Sequence, residues 1–271
     1  ALDLTKVSDN IFSFRPDSRY FVGNTPHGGY LLALMNKAMV QVLPHSSAIN
    51  SNVYYLDRTE PEPAELHVEV LRTSKGSSMG QVKLIQNKKI TCLYSSLCSD
   101  FEYMKGYSGL GTPLPPIINA VKQEDFKVMS YESIGSGSTP AFIKQLNMSV
   151  HPDHAWWDRD ISSDAAEARC SAYLELEGGV ADTFVLSYLA DILPPVVQNK
   201  FGSLGWIPTL TLTCNIRQLP KTNLLFIDGH AKDISNGYFE QDCCIWDMDG
   251  NLVATSRQLA KILKSEDKIS S

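Results

Sequence analysis

Apolar positions fall into two alternating rhythms along the chain, and each rhythm occurs twice. Residues 25–44, TPHGGYLLALMNKAMVQVLP, place Leu31, Leu34, Met35, Ala38 and Val42 at helical spacing, and the spacing predicts a helix. Thr25 is placed to cap it, Pro26 suits its first turn, and Pro44 ends it. The rhythm then switches to the two-residue period of strands over 52–58, 64–72, 77–86 and 89–101. Asn87-Lys88 supplies the turn between the last two, so the first hundred residues predict a helix followed by an antiparallel meander. A short strand, 9–14, precedes them.

Residues 106–140 break the pattern. Gly, Ser and Pro cluster at both ends, in GYSGLGTPLPP and GSGSTP, which predicts a linker over the surface. Beyond it, 142–151 and 170–177 read as strands around a loop or short helix over 156–168. A second apolar stretch, GGVADTFVLSYLADILPP at 178–195, then predicts a second helix.

The second half repeats the first. Gly28-Gly29 and Pro44 recur 150 positions on as Gly178-Gly179 and Pro194. Leu56, Val70 and Gln81 recur 160 positions on as Ile216, His230 and Gln241, and Ile90 and Leu97 return 162 positions on as Leu252 and Leu259. Nearly constant offsets in conserved element order indicate an internal duplication. The expected organisation is a first repeat over 1–105, a linker over 106–140, a second repeat over 141–265 and a tail over 266–271. Two helix-plus-meander units pair most economically edge to edge, which hides two strand edges and gives an α+β pseudo-dimer with one continuous curved sheet.

Such a pseudo-dimer has two equivalent sites, and one residue distinguishes them. Asp191 stands at the end of the second apolar stretch, on the side that also carries Phe184, Ser187 and Tyr188. Taken alone it reads equally as a half-exposed helix-end residue. The 150-residue offset sets Gln41 against it, and the first helix has no acidic residue, so a single competent site around Asp191 is expected. A carboxylate at a helix C-terminus among apolar neighbours should have a raised pKa, which suits a base. Gly28 and Gly29 open the first helix, where an acyl oxygen could approach free amides; His27 could donate to a carbonyl, move a proton, or simply occupy a loop.

Composition narrows the function further. A net charge of −6 with mixed signs argues against nucleic-acid binding and against an anionic membrane surface. No apolar run approaches the roughly 18 residues of a membrane span. Six cysteines show neither CxxC pairs nor zinc spacing, so no metal is expected and the thiols read as reduced. With no signal-peptide pattern at residues 1–14, a cytoplasmic location is expected. Nucleotide-binding glycine loops, the nucleophile elbow and the HExxH zinc motif are all absent, and no cofactor is expected.

The order helix, meander, linker, helix, meander resembles a double hotdog protein. The stretches HGGYLLALMNKA, EVLRTSKGSSMGQVKLIQNKKI, YLADILPP, PTLTLTCNIRQLP and DGNLVATSRQLAKI resemble the acyl-CoA thioesterase II family and its thioesterase-like relatives over nearly the whole chain outside the linker. The resemblance implies a catalytic set of Asp191, Thr209 and Gln258; His27, Gly28 and Gly29 are expected on the substrate side from their place at the start of the first helix. It implies hydrolysis of acyl-CoA or another acyl thioester by Asp-activated water, in fatty acid metabolism, and a homodimer of double hotdogs. Two alternatives share the architecture: a dehydratase or hydratase using His27 and Asp191 as acid and base, and a non-catalytic acyl-binding protein.

Overall fold

The computed structural model describes residues 2–134, 139–158 and 166–263. The expected tail, residues 135–138 of the Gly/Ser stretch and most of the 156–168 loop lie outside the described residues. The first half comprises β1 (Thr5–Ser8), β2 (Ile11–Phe14), the two-residue ladder β3 (Phe21–Val22) and β4 (Thr25–Pro26), and helix α1 (Gly28–Val42). Its meander follows as β5 (Ser47–Tyr55), β6 (Ala64–Thr73), β7 (Ser78–Gln86) and β8 (Lys89–Ser99). The connecting stretch holds β9 (Lys127–Val128) and the single turn α2 (Tyr131–Ile134). The second half has β10 (Asn147–Val150), β11 (Arg169–Glu175), α3 (Thr183–Leu189) and α4 (Gln198–Phe201). Its meander is β12 (Thr209–Ile216), β13 (Leu224–His230), β14 (Tyr238–Asp247) and β15 (Leu252–Lys261).

One antiparallel sheet of 13 strands runs β1-β2-β6-β7-β8-β5-β12-β15-β14-β13-β11-β10-β9. Read outward from the β5–β12 seam, the two halves mirror each other, and the seam is the pseudo-twofold axis. Asn52 faces Thr213 there, and Asn50 faces Asn215. The pairs are tied by Thr213 Oγ1 to Asn52 Oδ1 and Asn50 Nδ2 to Asn215 Oδ1, both 2.8 Å. Thr213 lies 161 positions after Asn52, and two irregularities of the ladder obey the same offset. The register shift between Ala48 and Asn50 recurs between Thr209 and Thr211, and that between Leu84 and Ile85 recurs between Ile245 and Trp246. Bulges are specific devices for bending a strand, so their repetition is strong physical support for the duplication.

Both helices pack on one face of this sheet and against each other. Helix α1 is buried nearly all round, with Leu32, Leu34, Met35, Ala38 and Met39 inaccessible or almost so. Such a helix belongs inside a core, between sheet and partner helix. Among the described residues, no helix is long and apolar enough to cross a membrane.

Several boundaries differ from the sequence expectation. Thr25 and Pro26 pair with Phe21 and Val22 instead of capping α1, whose N-cap is His27. The second helix is far shorter than 178–195, because Asp182 accepts a hydrogen bond from Val185 N (2.8 Å) and starts the helix there. Gly178 and Gly179 lie in an exposed turn before it, with Gly179 at φ 104°. Aligned on their caps, His27 and Asp182, the helices are offset by 155, and Asn36, not Gln41, is the counterpart of Asp191. Residues 141–145 form a 3₁₀ turn before β10 where a longer strand was expected. Part of the stretch expected to be linker packs firmly: Ile118 and Phe126 join Tyr173, Phe226 and Trp246 in a cluster, and Trp246 Nε1 donates to Thr112 O at 2.9 Å.

Leu84 is wholly buried beneath α1, whereas Leu71, on a neighbouring strand, is 49% exposed. Leu84→Ala is therefore expected to lower stability by about 2–5 kcal/mol and Leu71→Ala by under about 1 kcal/mol. Urea midpoints of the two variants check the contrast.

Candidate active site

The site forms where the N-terminus of α1 meets the C-terminal end of α3. Helix α3 ends at Leu189, and the chain continues in a tightened turn, with Asp191 N bonded to Tyr188 O and Ile192 N to Leu189 O. Asp191 therefore sits just past the helix, not within its last turn. The turn is anchored from the sheet by Ser256 Oγ, which donates to Ala190 O at 2.6 Å.

The approach of the two helix ends requires glycine at both positions of the Gly28-Gly29 pair. A Cβ on Gly29 would lie 2.4 Å from Tyr188 O, a backbone atom. On Gly28 it would lie 2.7 Å from Asp191 Oδ2 and 3.0 Å from the Tyr55 hydroxyl. The clash at Gly29 is with backbone and has no relief, and at Gly28 the Asp191 carboxylate itself would have to move. The gain is a direct bond from Gly29 N to Asp191 Oδ2 at 3.0 Å. The Gly29 amide thus holds the carboxylate, while the Gly28 amide makes no hydrogen bond to a described residue.

Asp191 is 9% exposed, and burial pushes its pKa up, with the Gly29 amide pulling it partly back. His27 Nε2 lies 3.0 Å from the Asp191 carbonyl oxygen and 3.5 Å from Oδ2. Burial drives the His27 pKa down against the pull of Asp191. The imidazole is accordingly neutral, with Nε2–H donating to the main-chain carbonyl and Nδ1 buried without a partner among the described residues. Its ring packs against Phe142 at 4.5 Å and Tyr188 at 5.6 Å.

Thr209 and Gln258 also come together. They open β12 and lie near the end of β15, and Thr209 Oγ1 donates to Gln258 Oε1 at 2.5 Å. Gln258 shares its strand face with Ser256, two residues or roughly 6–7 Å away along the strand. Because Ser256 holds the turn carrying Asp191, the Thr209–Gln258 pair borders the same region. Among the described residues, no hydrogen bond joins it directly to Asp191.

Tyr55 was not singled out from the sequence. Its hydroxyl donates to Gly28 O at 2.8 Å. Nothing local marks it: an inward-facing tyrosine at a strand end looks like core. The helices are also joined by Asn36 Nδ2 to Ser187 Oγ at 2.8 Å, with Ser187 Oγ donating to Thr183 O.

Pseudo-symmetry supplies an internal control. The ladders set Gln258 against Leu212 and Gln241, and Ser96 against Ser51 and Gly80, so Ser96 mirrors Gln258. By the same register Ala48 mirrors Thr209 and Ile216 mirrors Tyr55. The mirrored set is Asn36, Ala48, Ser96 and Ile216, with no ionisable group.

A cleft of about 730 Å³ lies elsewhere, lined by Arg169, Lys200, Asp228, His230 and Lys232 among others. Its central feature is the bidentate Arg169–Asp228 pair at 2.9 and 3.1 Å, further bound by Ser171. Arg169 and Asp228 satisfy each other there, whereas Asp191 is a buried carboxylate with no cation paired to it, so chemistry is better served at Asp191. Among the described residues, no cluster of three or more His, Cys, Asp or Glu side chains is arranged to hold a metal.

Comparison with known proteins agrees with this architecture. A putative thioesterase II from Thermobifida fusca YX superposes with a TM-score of 0.83 at 23% identity, covering 97% of this chain and 98% of that one. A hot dog fold protein of unknown function from Alicyclobacillus acidocaldarius gives 0.80 at 18% identity, covering 98% and 97%. An uncharacterised protein of Mycobacterium tuberculosis (strain ATCC 25618 / H37Rv) is 21% identical over 268 residues, spanning 93% of this chain and 91% of the relative. At these identities the likeness establishes the double hotdog fold. The family models decide more: the acyl-CoA thioesterase N-terminal domain matches residues 16–98 and the acyl-CoA thioesterase C-terminal domain matches residues 122–262. Matched in order over both of its halves, the chain belongs to the acyl-CoA thioesterase family and is a thioester hydrolase.

Proposed function

We propose that the protein hydrolyses acyl-CoA with a water activated by Asp191. The observation that carries this reading is the asymmetry of the carboxylate. Oδ2 is anchored by the Gly29 amide, while Oδ1 makes no hydrogen bond to a described residue. One oxygen fixes the group and the other is left to accept a proton. As water attacks the thioester carbon, its proton passes to Asp191, the C–O bond forms and the carbonyl oxygen becomes an oxyanion. Collapse of that intermediate breaks the C–S bond, and the proton leaves with the thiol as free acid is released.

The other residues take supporting roles. Thr209 donates to Gln258 Oε1, which leaves the Gln258 amide group and the Thr209 lone pairs to orient the water. The Gly28 amide, at the positive end of α1, is suited to the acyl oxygen. His27, neutral and bound through Nε2 to the Asp191 main chain, positions the turn. That engagement disfavours the dehydratase alternative, in which the imidazole must reach substrate as an acid.

Asp191→Asn should reduce acyl-CoA hydrolysis by about 10²-fold or more, measured as free thiol release. A buried carboxylate with a raised pKa is less stable ionised than protonated, so it opposes folding increasingly as pH rises from the ordinary value of 3.8 to its higher folded value, and fully above that. The same variant should therefore melt at a higher temperature than the native protein near neutral pH; retained hydrolysis would sink the assignment of the base.

The acid limb of kcat/KM should lie above the ordinary aspartate value of 3.8, with activity falling as pH drops and Asp191 is protonated. A pH–rate profile with no acid limb above that value would count against this.

Gln258→Ala should lower kcat by roughly 10²-fold, since it removes a polar group oriented at the water. Steady-state kinetics on a panel of acyl-CoAs measures it.

A further inference from the structure

Building on the reading of Asp191 as base, we propose that Tyr55 is a positioning residue for that carboxylate, acting through the single peptide group that joins Gly28 to Gly29. The carbonyl of Gly28 and the N–H of Gly29 belong to one planar unit. The Tyr55 hydroxyl donates to the carbonyl end at 2.8 Å, and the amide end donates to Asp191 Oδ2 at 3.0 Å. In a trans peptide these two groups point in opposite directions, so the three partners form one chain: phenol, peptide, carboxylate.

Two consequences follow from that chain. The first is geometric. Held by Asp191 at its N–H end and by the first-turn helical bond alone at its carbonyl, the peptide can still tilt, because glycine flanks it on both sides. Tyr55 grips the second end, which fixes the direction of the N–H that holds the carboxylate. The second is electronic. A hydrogen bond accepted by a carbonyl polarises its amide, and linked bonds strengthen one another in a low-dielectric interior. The Gly29 N–H thereby becomes a better donor to the Asp191 anion.

The surroundings suit this role. Burial, and then the charge of Asp191, raise the Tyr55 pKa well above its usual value, so the phenol keeps its proton while the base works. The other groups that face the carboxylate are His27 at 3.5 Å, the Tyr188 phenol and the positive end of α1. No lysine or arginine contributes to the balance at Asp191. Its anion is thus stabilised by dipoles, and one strengthened N–H matters more than it would beside a cation. The tyrosine also respects the asymmetry of the molecule. Its mirror position holds Ile216, on the side where Asn36 stands in place of the acid.

The test is a comparison of pH–rate profiles. Tyr55→Phe keeps the ring and removes the donor. We expect kcat to fall about 3- to 10-fold with KM changed less than about 2-fold, and the acid limb to move up by about half to one pH unit. Ring-fluorinated tyrosine at position 55, a stronger donor of nearly the same shape, should restore kcat and move the limb back toward or below the native position. Packing alone would shift the melting temperature and leave the limb in place. An unmoved acid limb in Tyr55→Phe, with Asp191→Asn inactive, overturns the role of Tyr55 and leaves the base assignment intact. Retained activity in Asp191→Asn overturns the base itself. Should Tyr55→Phe fail to fold, the fluorinated proteins decide: a limb that follows ring acidity supports the relay, and one that ignores it refutes it.

Discussion

The arrangement depends on one close contact, the bond from the Gly29 amide to the Asp191 carboxylate across two helix ends. Ordinary helix packing keeps axes 8–10 Å apart and side chains between them. Here a backbone amide of one helix directly reaches a side chain on the turn that ends the other, because Gly28 and Gly29 leave nothing in the way. The glycines weaken the start of α1 by their conformational freedom. Burial of that helix's own Leu32, Leu34, Met35 and Met39 offsets the loss. Core energy from the sheet therefore stabilises a junction that neither helix would form alone.

The continuous sheet explains how the junction is aimed. The β5–β12 seam ties the halves by main-chain bonds and by the Asn52–Thr213 and Asn50–Asn215 pairs. With the seam fixed, each helix has its place, and α1 from one half meets α3 from the other. Strand β15 then contributes twice on one face: Ser256 secures the turn before Asp191, and Gln258 holds Thr209. Symmetry alone would build two such corners. Asn36, Ala48, Ser96 and Ile216 leave the second without a base, a hydroxyl–amide pair like Thr209–Gln258, or a phenol. That corner instead serves packing, with Asn36 bound to Ser187.

Much of the fold was legible because duplication leaves offsets, and offsets survive the loss of identity. The repeat at 160 to 162 positions came close to the 161 of the seam. The helices misled for a definite reason. Two Gly-Gly pairs 150 positions apart suggested matching helix starts, yet Gly178 and Gly179 belong to a turn and Asp182 supplies the cap. A motif match outweighed a capping signal that was present in the sequence. The positions of Asp191, Thr209 and Gln258 could be named from family resemblance. Their geometry could not, since Asp191 meets residues more than 160 positions away only after the halves pair. Tyr55 was illegible for another reason: its partner, 27 positions away in the same half, is a backbone oxygen rather than a side chain. His27 carried no local mark of the neutral state that its burial enforces.

The electrostatics of the corner hold the acid between opposing influences. Asp191 follows the C-terminal end of α3, where helix dipoles disfavour an anion, and faces the N-terminal end of α1, where they favour one. Burial adds to the first effect and the Gly29 bond to the second. A cation beside the carboxylate would make the anion comfortable and the base weak. A wholly apolar setting would keep the acid protonated. Dipoles without a full positive charge lie between those limits: they support the anion enough for it to form while leaving it able to take a proton. Neutral His27 belongs to the same balance, because an imidazolium at 3.5 Å would supply the charge that the site otherwise omits.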